Sequence, residues 1–239
     1  MRVKADLHIH TVLSPCGDLD MSPGNILRAA LERGLGLIGI TDHNSTRQAL
    51  LIQEWGREMG VAVLAGAEVT TAEEAHCLAF FPTPERLAEF QRFLDRHLPP
   101  VPNNPDKFGY QVAVNRDDEI LYEEPLLLLS ALTADIDTVE RTTHELDGIF
   151  IPAHVDRPVF SVLSQLGFIP PGLRCDALEV SRHSSPAKIL AEHPALAAHA
   201  FTTASDAHYL DDIGRVHTEL APADLTFEAV RAAIRACRT

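Results

Sequence analysis

The sequence predicts an α/β fold in which short strands alternate with helices and close, or nearly close, into one barrel. Two features of its 239 residues support this fold class. Hydrophobic residues make up 46% and charged residues 23% of the chain, the usual mix of a globular protein with a substantial core. In addition, seven short runs are mostly apolar throughout, which is typical of parallel strands buried on both faces, and segments with helical periodicity lie between them.

The predicted elements are bounded by residues that favour turns and caps. The first helix has Ser22 as its N-cap, Pro23 at its first position and Gly34 just beyond its end. The predicted strands cover residues 3–9, 37–40, 61–67, 77–81, 149–153, 177–180 and 200–204. The predicted helices cover residues 23–33, 45–59, 138–146 and 226–236, with a further helix that begins at residue 84.

Residues 98–124 interrupt this alternation. Prolines in the segment 99–105 prevent a helix from continuing there. Residues 111–114 and 119–122 flank a polar turn and predict a hairpin that lies outside the main sheet. We therefore expect an insertion here, and a single domain that covers residues 1–239.

The charge of the chain limits the partners that it is expected to bind. There are 20 Lys and Arg residues against 34 Asp and Glu residues, a formal net charge of −14, which disfavours a broad surface for nucleic acid or for an anionic membrane. We find no run of about 18 apolar residues that could span a bilayer and no apolar secretion signal. The four cysteines lack CxxC spacing, so we expect no disulfide framework. These features predict a cytoplasmic protein and leave its oligomeric state open.

The first predicted strand contains two of the 12 histidines, in the segment Asp6-Leu7-His8-Ile9-His10. Because alternate residues of a strand share a face, Asp6, His8 and His10 are expected to project together. Two imidazoles beside a carboxylate that can hold one of the rings form half of a metal site. Polar residues on an exposed edge strand would give the same pattern, so this motif alone leaves both interpretations open.

The same arrangement recurs where four other apolar runs end. The polar residues at these ends are Asp42 with His43, Glu68, His154, and Asp206 with His208. Barrel active sites are assembled at the C-terminal ends of strands, so these side chains are expected to converge on one mouth. His144 lies within a predicted helix, lacks this pattern and is expected to be structural, whereas His97, His193, His199 and His217 are expected to be surface or capping residues.

Taken together and in order, these motifs resemble those of the PHP (polymerase and histidinol phosphatase) superfamily. The matching segments are Asp6-x-His8-x-His10, Thr41-Asp42-His43, Glu68 with His76, Pro152-Ala153-His154 and Ser205-Asp206-x-His208. Within this family the chain is most similar to the stand-alone bacterial phosphoesterases. The resemblance implies a distorted (β/α)7 TIM-like barrel with a trinuclear metal centre.

The resemblance also implies which residues hold two or three divalent metal ions. The first ion would be held by His8, His10, Glu68 and Asp206, the second by Glu68, His76 and His154, and the third by His43 and His208. The third ion needs one further ligand from the loop after the first strand, where Asp18 is preferred over Cys16 and Asp20. Ligands of these types accept Zn, Fe or Mn. Asp6 and Asp42 are expected to orient His rings and not to bind metal.

Three residues near the predicted mouth are candidates for binding the substrate. Arg157 follows His154 by three residues, and Arg182 and His183 follow a predicted strand. A guanidinium can hold a phosphate through two hydrogen bonds, although either arginine could instead pair with one of the many surface acids. Arg157, together with Glu68 and Asp206, is predicted to be catalytic.

The predicted function is the hydrolysis of a phosphate ester by a hydroxide that bridges two metal ions. The expected substrate is a small phosphorylated metabolite or a nucleotide, and no membrane is involved. Two alternatives remain: an exonuclease or nucleotidase that acts on short nucleic-acid ends, and a non-catalytic metal-binding scaffold. An amidohydrolase-type barrel fits the motifs less well, because none of the lysines Lys4, Lys107 and Lys188 lies at a strand end.

Overall fold

The computed structural model describes residues 1–237, which form a mixed α/β fold. The strands are β1 (Val3–Ile9), β2 (Leu37–Ile40), β3 (Ala62–Thr70), β4 (His76–Phe80), β5 (Val112–Val114), β6 (Ile120–Glu123), β7 (Ile149–Pro152), β8 (Leu178–Val180), β9 (Phe201–Thr203) and β10 (Thr218–Leu220). The helices are α1 (Pro23–Glu32), α2 (Ala49–Met59), α3 (Pro84–His97), α4 (Pro105–Phe108), α5 (Ile136–Glu145), α6 (Val162–Leu166), α7 (Pro186–Glu192) and α8 (Phe227–Ala236). A six-stranded sheet has the order β10-β1-β2-β3-β4-β7, and β5-β6 and β8-β9 form two separate pairs.

The seven predicted core strands are all present, as β1–β4 and β7–β9. The predicted hairpin is also confirmed, because β5 and β6 pair with each other outside the main sheet. The sequence does not predict β10, which is only three residues long and pairs antiparallel with β1. It also does not predict the short helices α4, α6 and α7, and α2 begins at Ala49, four residues later than expected.

The prediction of a parallel sheet with regular strand–helix alternation is wrong at β4. This strand runs antiparallel to both β3 and β7. The reason is the tight turn over residues 71–75, in which the Thr71 N–H donates to the Ala75 carbonyl at 2.9 Å. A turn this short joins antiparallel strands, whereas a parallel pair needs a crossover of a dozen or more residues. The first residue of β4, His76, therefore lies at the same edge as the end of β3.

The sheet curls into an incomplete barrel, and the β8-β9 pair occupies the remaining gap. On one side of this pair, the Val155 N–H donates to the Glu179 carbonyl at 2.8 Å and thereby joins β8 to the end of β7. On the other side, Ile9 and Ala207 form an isolated parallel bridge between the end of β1 and the loop after β9. These two junctions bring the strand ends together around one mouth.

Two apolar clusters hold the curled sheet in place. The larger one joins the sheet to helices α1, α2, α3 and α5, and the smaller one joins it to α8. In the smaller cluster, Val230 and Ile234 of α8 are buried together with Leu7, Leu78 and Ile151. Full burial of each such side chain contributes about 1.5–3 kcal/mol to the free energy of folding, so the clusters stabilise the sheet beneath the mouth. No helix within residues 1–237 is long and apolar enough to cross a membrane.

Candidate metal centre

The mouth of the barrel gathers the histidines and acids that the motifs predict. His8 lies in β1 and His10 directly follows it, His43 comes from the loop after β2, and Glu68 comes from β3. The antiparallel direction of β4 delivers His76, which a parallel strand would place at the far edge. His154 follows β7, and Asp206 and His208 follow β9. The structure thus brings together eight of the nine residues predicted to bind metal, and their role as ligands stays a prediction.

Glu68 lies at the centre of this cluster, with 1% of its surface exposed. Its two carboxylate oxygens face imidazole nitrogens of five histidines. The distances are 3.3 Å to His8 Nε2, 3.4 Å to His10 Nε2, 3.1 Å to His43 Nδ1, 2.8 Å to His76 Nδ1 and 3.0 Å to His154 Nε2. One buried carboxylate therefore connects nitrogens from the whole circumference of the mouth.

Asp206 faces the same nitrogens of His8 and His10 as Glu68 does. Its Oδ1 lies 3.4 Å from His8 Nε2 and 3.3 Å from His10 Nε2. Its Oδ2 accepts a hydrogen bond from Arg157 Nη1 at 2.7 Å. Asp206 and His154 both have left-handed backbone, with φ of 52° and 30°. Such strain in non-glycine residues costs about 1–3 kcal/mol and is concentrated at functional sites.

The donor set fits divalent cations. Ligand atoms bound to one ion at about 2.0–2.2 Å lie roughly 3.3 Å from one another, which matches the N–O distances around Glu68. His43 Nδ1 is buried and, within the described part of the chain, makes no hydrogen bond, although Glu68 Oε2 is close by. A cation between the two atoms would satisfy both. Three groups of ligand atoms lie within 4.8 Å of one another: His8, His10 and Glu68; His43, Glu68 and His76; and His10, His43 and His208.

The electrostatics of the cluster also suit positive ions. Burial would raise the pKa of Glu68, but the imidazoles of His76, His8 and His43 hold it well below its ordinary value. Burial would lower the pKa of His8, but the carboxylates of Glu179, Glu68 and Asp206 raise it well above its ordinary value. Burial lowers the pKa of His43, so this ring stays neutral and keeps a lone pair for a metal.

The prediction that Asp6 orients a His ring is wrong. The pairing of β1 with β2 shifts register between Asp6 and Ile9, so the simple alternation of faces does not hold. The Asp6 carboxylate instead accepts hydrogen bonds from Ser205 N and Oγ at 3.0 and 2.6 Å and from Gly214 N at 2.8 Å. Asp6 therefore fixes the loop that carries Asp206.

Two other acids support the histidines. Asp42 acts indirectly, because it accepts a hydrogen bond from Ser14 Oγ at 2.7 Å, and Ser14 Oγ in turn lies 3.0 Å from His10 Nδ1. Glu179 of β8 lies 3.0 Å from His8 Nδ1. Sequence reasoning missed Glu179, since it stands inside a short apolar strand and belongs to no motif; its only signal is an acid at a position expected to be buried.

The loop after β1 carries the three residues predicted to supply an additional ligand, Asp18, Cys16 and Asp20. Asp18 is absent from the three ligand groups found among residues 1–237, and its Oδ1 accepts a hydrogen bond from Asp20 N at 2.9 Å. Asp20 is exposed. Cys16 is an exposed residue that lines the mouth. The choice among these three residues stays a prediction.

The three candidate substrate-binding residues line a cavity of about 270 Å³ beside Asp206 and His208. Arg157 is 38% exposed and bonded to Asp206 through one nitrogen. Arg182 pairs with Asp212 at 3.1 Å. The exposed ring of His183 lies 3.4 Å from Arg182 Nε. The structure brings these residues to the mouth, and their contact with substrate stays a prediction.

The curled α/β fold places a buried cluster of imidazoles and carboxylates that could hold metal ions at one mouth. Comparison with known proteins identifies the family: residues 6–165 match the PHP domain, and residues 196–239 match the PHP-associated region. The chain belongs to the PHP family.

Several proteins are similar to this chain over different lengths. A protein of Methanocaldococcus jannaschii, MJ1587, is 39% identical over 79 residues, which are 30% of this chain and 46% of that protein. YqxK of Bacillus subtilis is 26% identical over 259 aligned positions, 92% of this chain and 58% of that protein. The chain thus spans about half the length of these relatives.

Two solved structures show the same fold at low identity. The lesion-specific endonuclease PfuEndoQ of Pyrococcus furiosus has a TM-score of 0.74 at 23% identity, covering 99% of this chain and 56% of that one. A putative metal-dependent phosphoesterase of Bifidobacterium adolescentis has a TM-score of 0.60 at 21% identity and covers 98% of this chain and 96% of that one.

Proposed function

We propose that this protein hydrolyses a phosphate ester with two or three divalent metal ions bound at the mouth of its barrel. The observation that carries the proposal is the contact of one buried carboxylate, Glu68, with nitrogens of five histidines, completed by Asp206. A cluster of this composition has little use in a fold without cations, because it places several hydrogen-bonding groups beyond the reach of water. We further propose that residues 1–239 form a single PHP domain.

Each of the three groups of ligand atoms shares at least two residues with one of the proposed cation positions. His8 and His10, with Glu68 and Asp206, would hold the first ion, and His76 and His154 would share Glu68 around the second. His43 and His208 would hold a third. Divalent ions such as Zn, Fe or Mn, when bound, supply Lewis acidity that activates water and neutralises phosphate oxygens.

Arg157 is proposed to bind the non-bridging phosphate oxygens. Asp206 engages Nη1 of its guanidinium, which orients the group at the mouth, and 38% of the side chain is exposed beside the cavity. Phosphoryl transfer builds negative charge on the phosphate oxygens. The main catalytic demand of this reaction is therefore positive charge that is already in place there. Arg182 and His183 would extend this cationic edge in a chain whose net charge is −14.

A small phosphorylated metabolite or a nucleotide is the favoured substrate. The cavity of about 270 Å³ is at the small end of the range for ligand sites, roughly 300–1,000 Å³. A second candidate is a nucleic-acid end. It is favoured by the fold shared with endonuclease Q, which has been crystallised with a 27-mer duplex substrate with an abasic lesion at the active site. The net charge of −14 opposes tight binding of long strands.

Hydrolysis assays on the metal-loaded protein test this proposal. We expect release of p-nitrophenol from p-nitrophenyl phosphate or its bis ester, or cleavage of a short oligonucleotide, and we expect Glu68→Ala to lower the rate by more than about 100-fold. Glu140→Gln is the matched control, because Glu140 is a buried acid that contacts His144 outside the cluster. Activity of Glu68→Ala within 10-fold of the parent would contradict the proposal, and metal binding without any hydrolysis would favour a scaffold.

A further inference from the structure

Glu179 is a buried acid at the mouth that none of the recognised motifs contains. It is the central residue of β8, and 1% of its surface is exposed. Its neighbours Leu178 and Val180 belong to the large apolar cluster between sheet and helices. Because successive side chains of a strand point to opposite faces, Glu179 faces the interior of the barrel. A carboxylate in such a place is costly unless strong hydrogen-bond donors surround it.

The hydrogen-bond donors to Glu179 come from His8 of β1 and from His154 in the loop after β7. His8 Nδ1 lies 3.0 Å from Oε1 and 3.2 Å from Oε2 of Glu179. The His154 N–H donates to Oε1 at 3.1 Å. A carboxylate only accepts hydrogen bonds, so His8 carries its proton on Nδ1. His8 Nε2, the other ring nitrogen, lies 3.3 and 3.4 Å from carboxylate oxygens of Glu68 and Asp206, where a bound cation would take the place of a proton on Nε2.

Glu179 itself is not among the grouped ligand atoms of residues 1–237. Both of its oxygens face His8 Nδ1, the nitrogen on the side of the ring away from Glu68. Its carboxylate therefore acts on the cluster through His8 and through the backbone of His154. It also crosses the gap between β8 and β1, which do not pair with each other in the described sheets.

The other histidines are supported differently. His10 Nδ1 contacts the neutral hydroxyl of Ser14, and the carboxylate of Asp42 lies one hydrogen bond further away. His154 Nδ1 is buried and makes no hydrogen bond to any atom of residues 1–237. A carboxylate in direct contact raises the basicity of an imidazole and fixes its tautomer, whereas a hydroxyl does so more weakly.

We infer that Glu179 is the positioning residue of the first cation position, where it holds His8 in the tautomer and orientation that binds metal. The inference rests on the metal-binding part of the proposed function and not on the reaction. It follows that loss of Glu179 weakens the position built from His8, His10, Glu68 and Asp206. The third position, built from His43 and His208, keeps its ligands, neither of which is hydrogen-bonded to Glu179.

The variant Glu179→Gln tests this inference with little change in shape. A Gln side chain has one acceptor oxygen, and its NH2 group would stand opposite His8 Nδ1 or the His154 N–H, both of which are donors. We expect the Nδ1–H of His8 to lose its carboxylate acceptor, visible as a changed imidazole ¹⁵N–¹H resonance in the Zn²⁺-loaded protein. In titrations with Zn²⁺ or Mn²⁺ we expect one class of site to weaken by about 10- to 100-fold while another keeps its affinity.

Glu140→Gln is again the control, because it alters a buried Glu–His contact elsewhere and should leave both measurements unchanged. Glu179→Asp serves as a second variant if the Gln variant does not fold; it keeps the charge and should retain more of the affinity than Gln. Unchanged affinity at every site, with an unchanged His8 Nδ1–H resonance in Glu179→Gln, would overturn the inference. Equal weakening of all sites would also overturn it. Neither readout requires hydrolysis, so a failure of the proposed reaction is distinguishable.

Discussion

Replacing Ser14 with alanine removes three hydrogen bonds from the wall of the candidate metal centre. Ser14 is fully buried. Its hydroxyl donates to Asp42 Oδ1 at 2.7 Å and accepts from His43 N at 3.2 Å and from His10 Nδ1 at 3.0 Å. Asp42 keeps two donors from Thr11, at 2.7 and 2.8 Å, so its carboxylate stays largely satisfied. The two donors on His43 and His10 are left without an acceptor.

The size of the effect follows from these two orphaned donors. An unsatisfied buried donor costs about 1–3 kcal/mol, so two of them should lower the free energy of unfolding of the metal-free protein by about 2–6 kcal/mol. Urea unfolding at fixed pH measures this change. Metal affinity should also fall by about 10-fold or more, since the His10 ring loses its anchor, and isothermal titration with Zn²⁺ measures this second effect.

Ser22→Ala is the matched control for Ser14→Ala. Ser22 is also buried, but its Oγ has no hydrogen-bond partner in the part of the chain that the structure describes, and it makes no side-chain cap to α1. Its replacement should cost less than about 1 kcal/mol. Equal losses of stability for the two variants, or unchanged metal affinity in Ser14→Ala, would refute the reasoning.

Two further predictions concern charge. Arg157→Gln should lower kcat/KM for a phosphate ester by about 100-fold, because it removes a cation aimed at the phosphate. The control is Arg86→Gln, which replaces an exposed arginine paired with Asp147 and should change kcat/KM by less than about twofold. Comparable rates for both variants would contradict the proposed role of Arg157. The hydrogen bond to Asp176 and the contact with Glu140 raise the pKa of His144 above 6.5. The contribution of His144 to stability is therefore complete below pH 6.5 and disappears as the pH rises through the higher folded-state pKa. Urea unfolding of the metal-free protein should show this decline in the free energy of unfolding, and His144→Gln should abolish it. The same decline in the variant would contradict the role of His144.

Much of the candidate centre could be predicted because its residues stand at the ends of strands. His8, Glu68, His154 and Asp206 follow or terminate apolar runs, and the geometry of a barrel brings such ends to one mouth. The prediction did not require the exact order of the strands. It also survived the antiparallel direction of β4, because His76 lies at the start of that strand and still reaches the mouth.

The supporting residues were less predictable, because they depend on register and on the exact path of loops. Alternation along β1 suggested that Asp6 would orient a His ring. The strand pairing shifts register there, and the Asp6 carboxylate instead accepts hydrogen bonds from Ser205 and Gly214. Glu179, which does contact His8, could be assigned only once β8 was known to lie across the mouth from β1. The carboxylate of Asp18 forms a local turn with Asp20 N, a contact that spacing alone does not reveal.

The most direct test of the metal centre is elemental analysis of protein purified without chelator, with Glu68→Ala and Glu140→Gln measured in parallel. If Glu68 links the imidazoles around shared cations, the parent and Glu140→Gln will contain two or three equivalents of Zn, Fe or Mn per chain, and Glu68→Ala will lose most of them. Metal at trace level in all three proteins, or the same content with and without the Glu68 carboxylate, would contradict it.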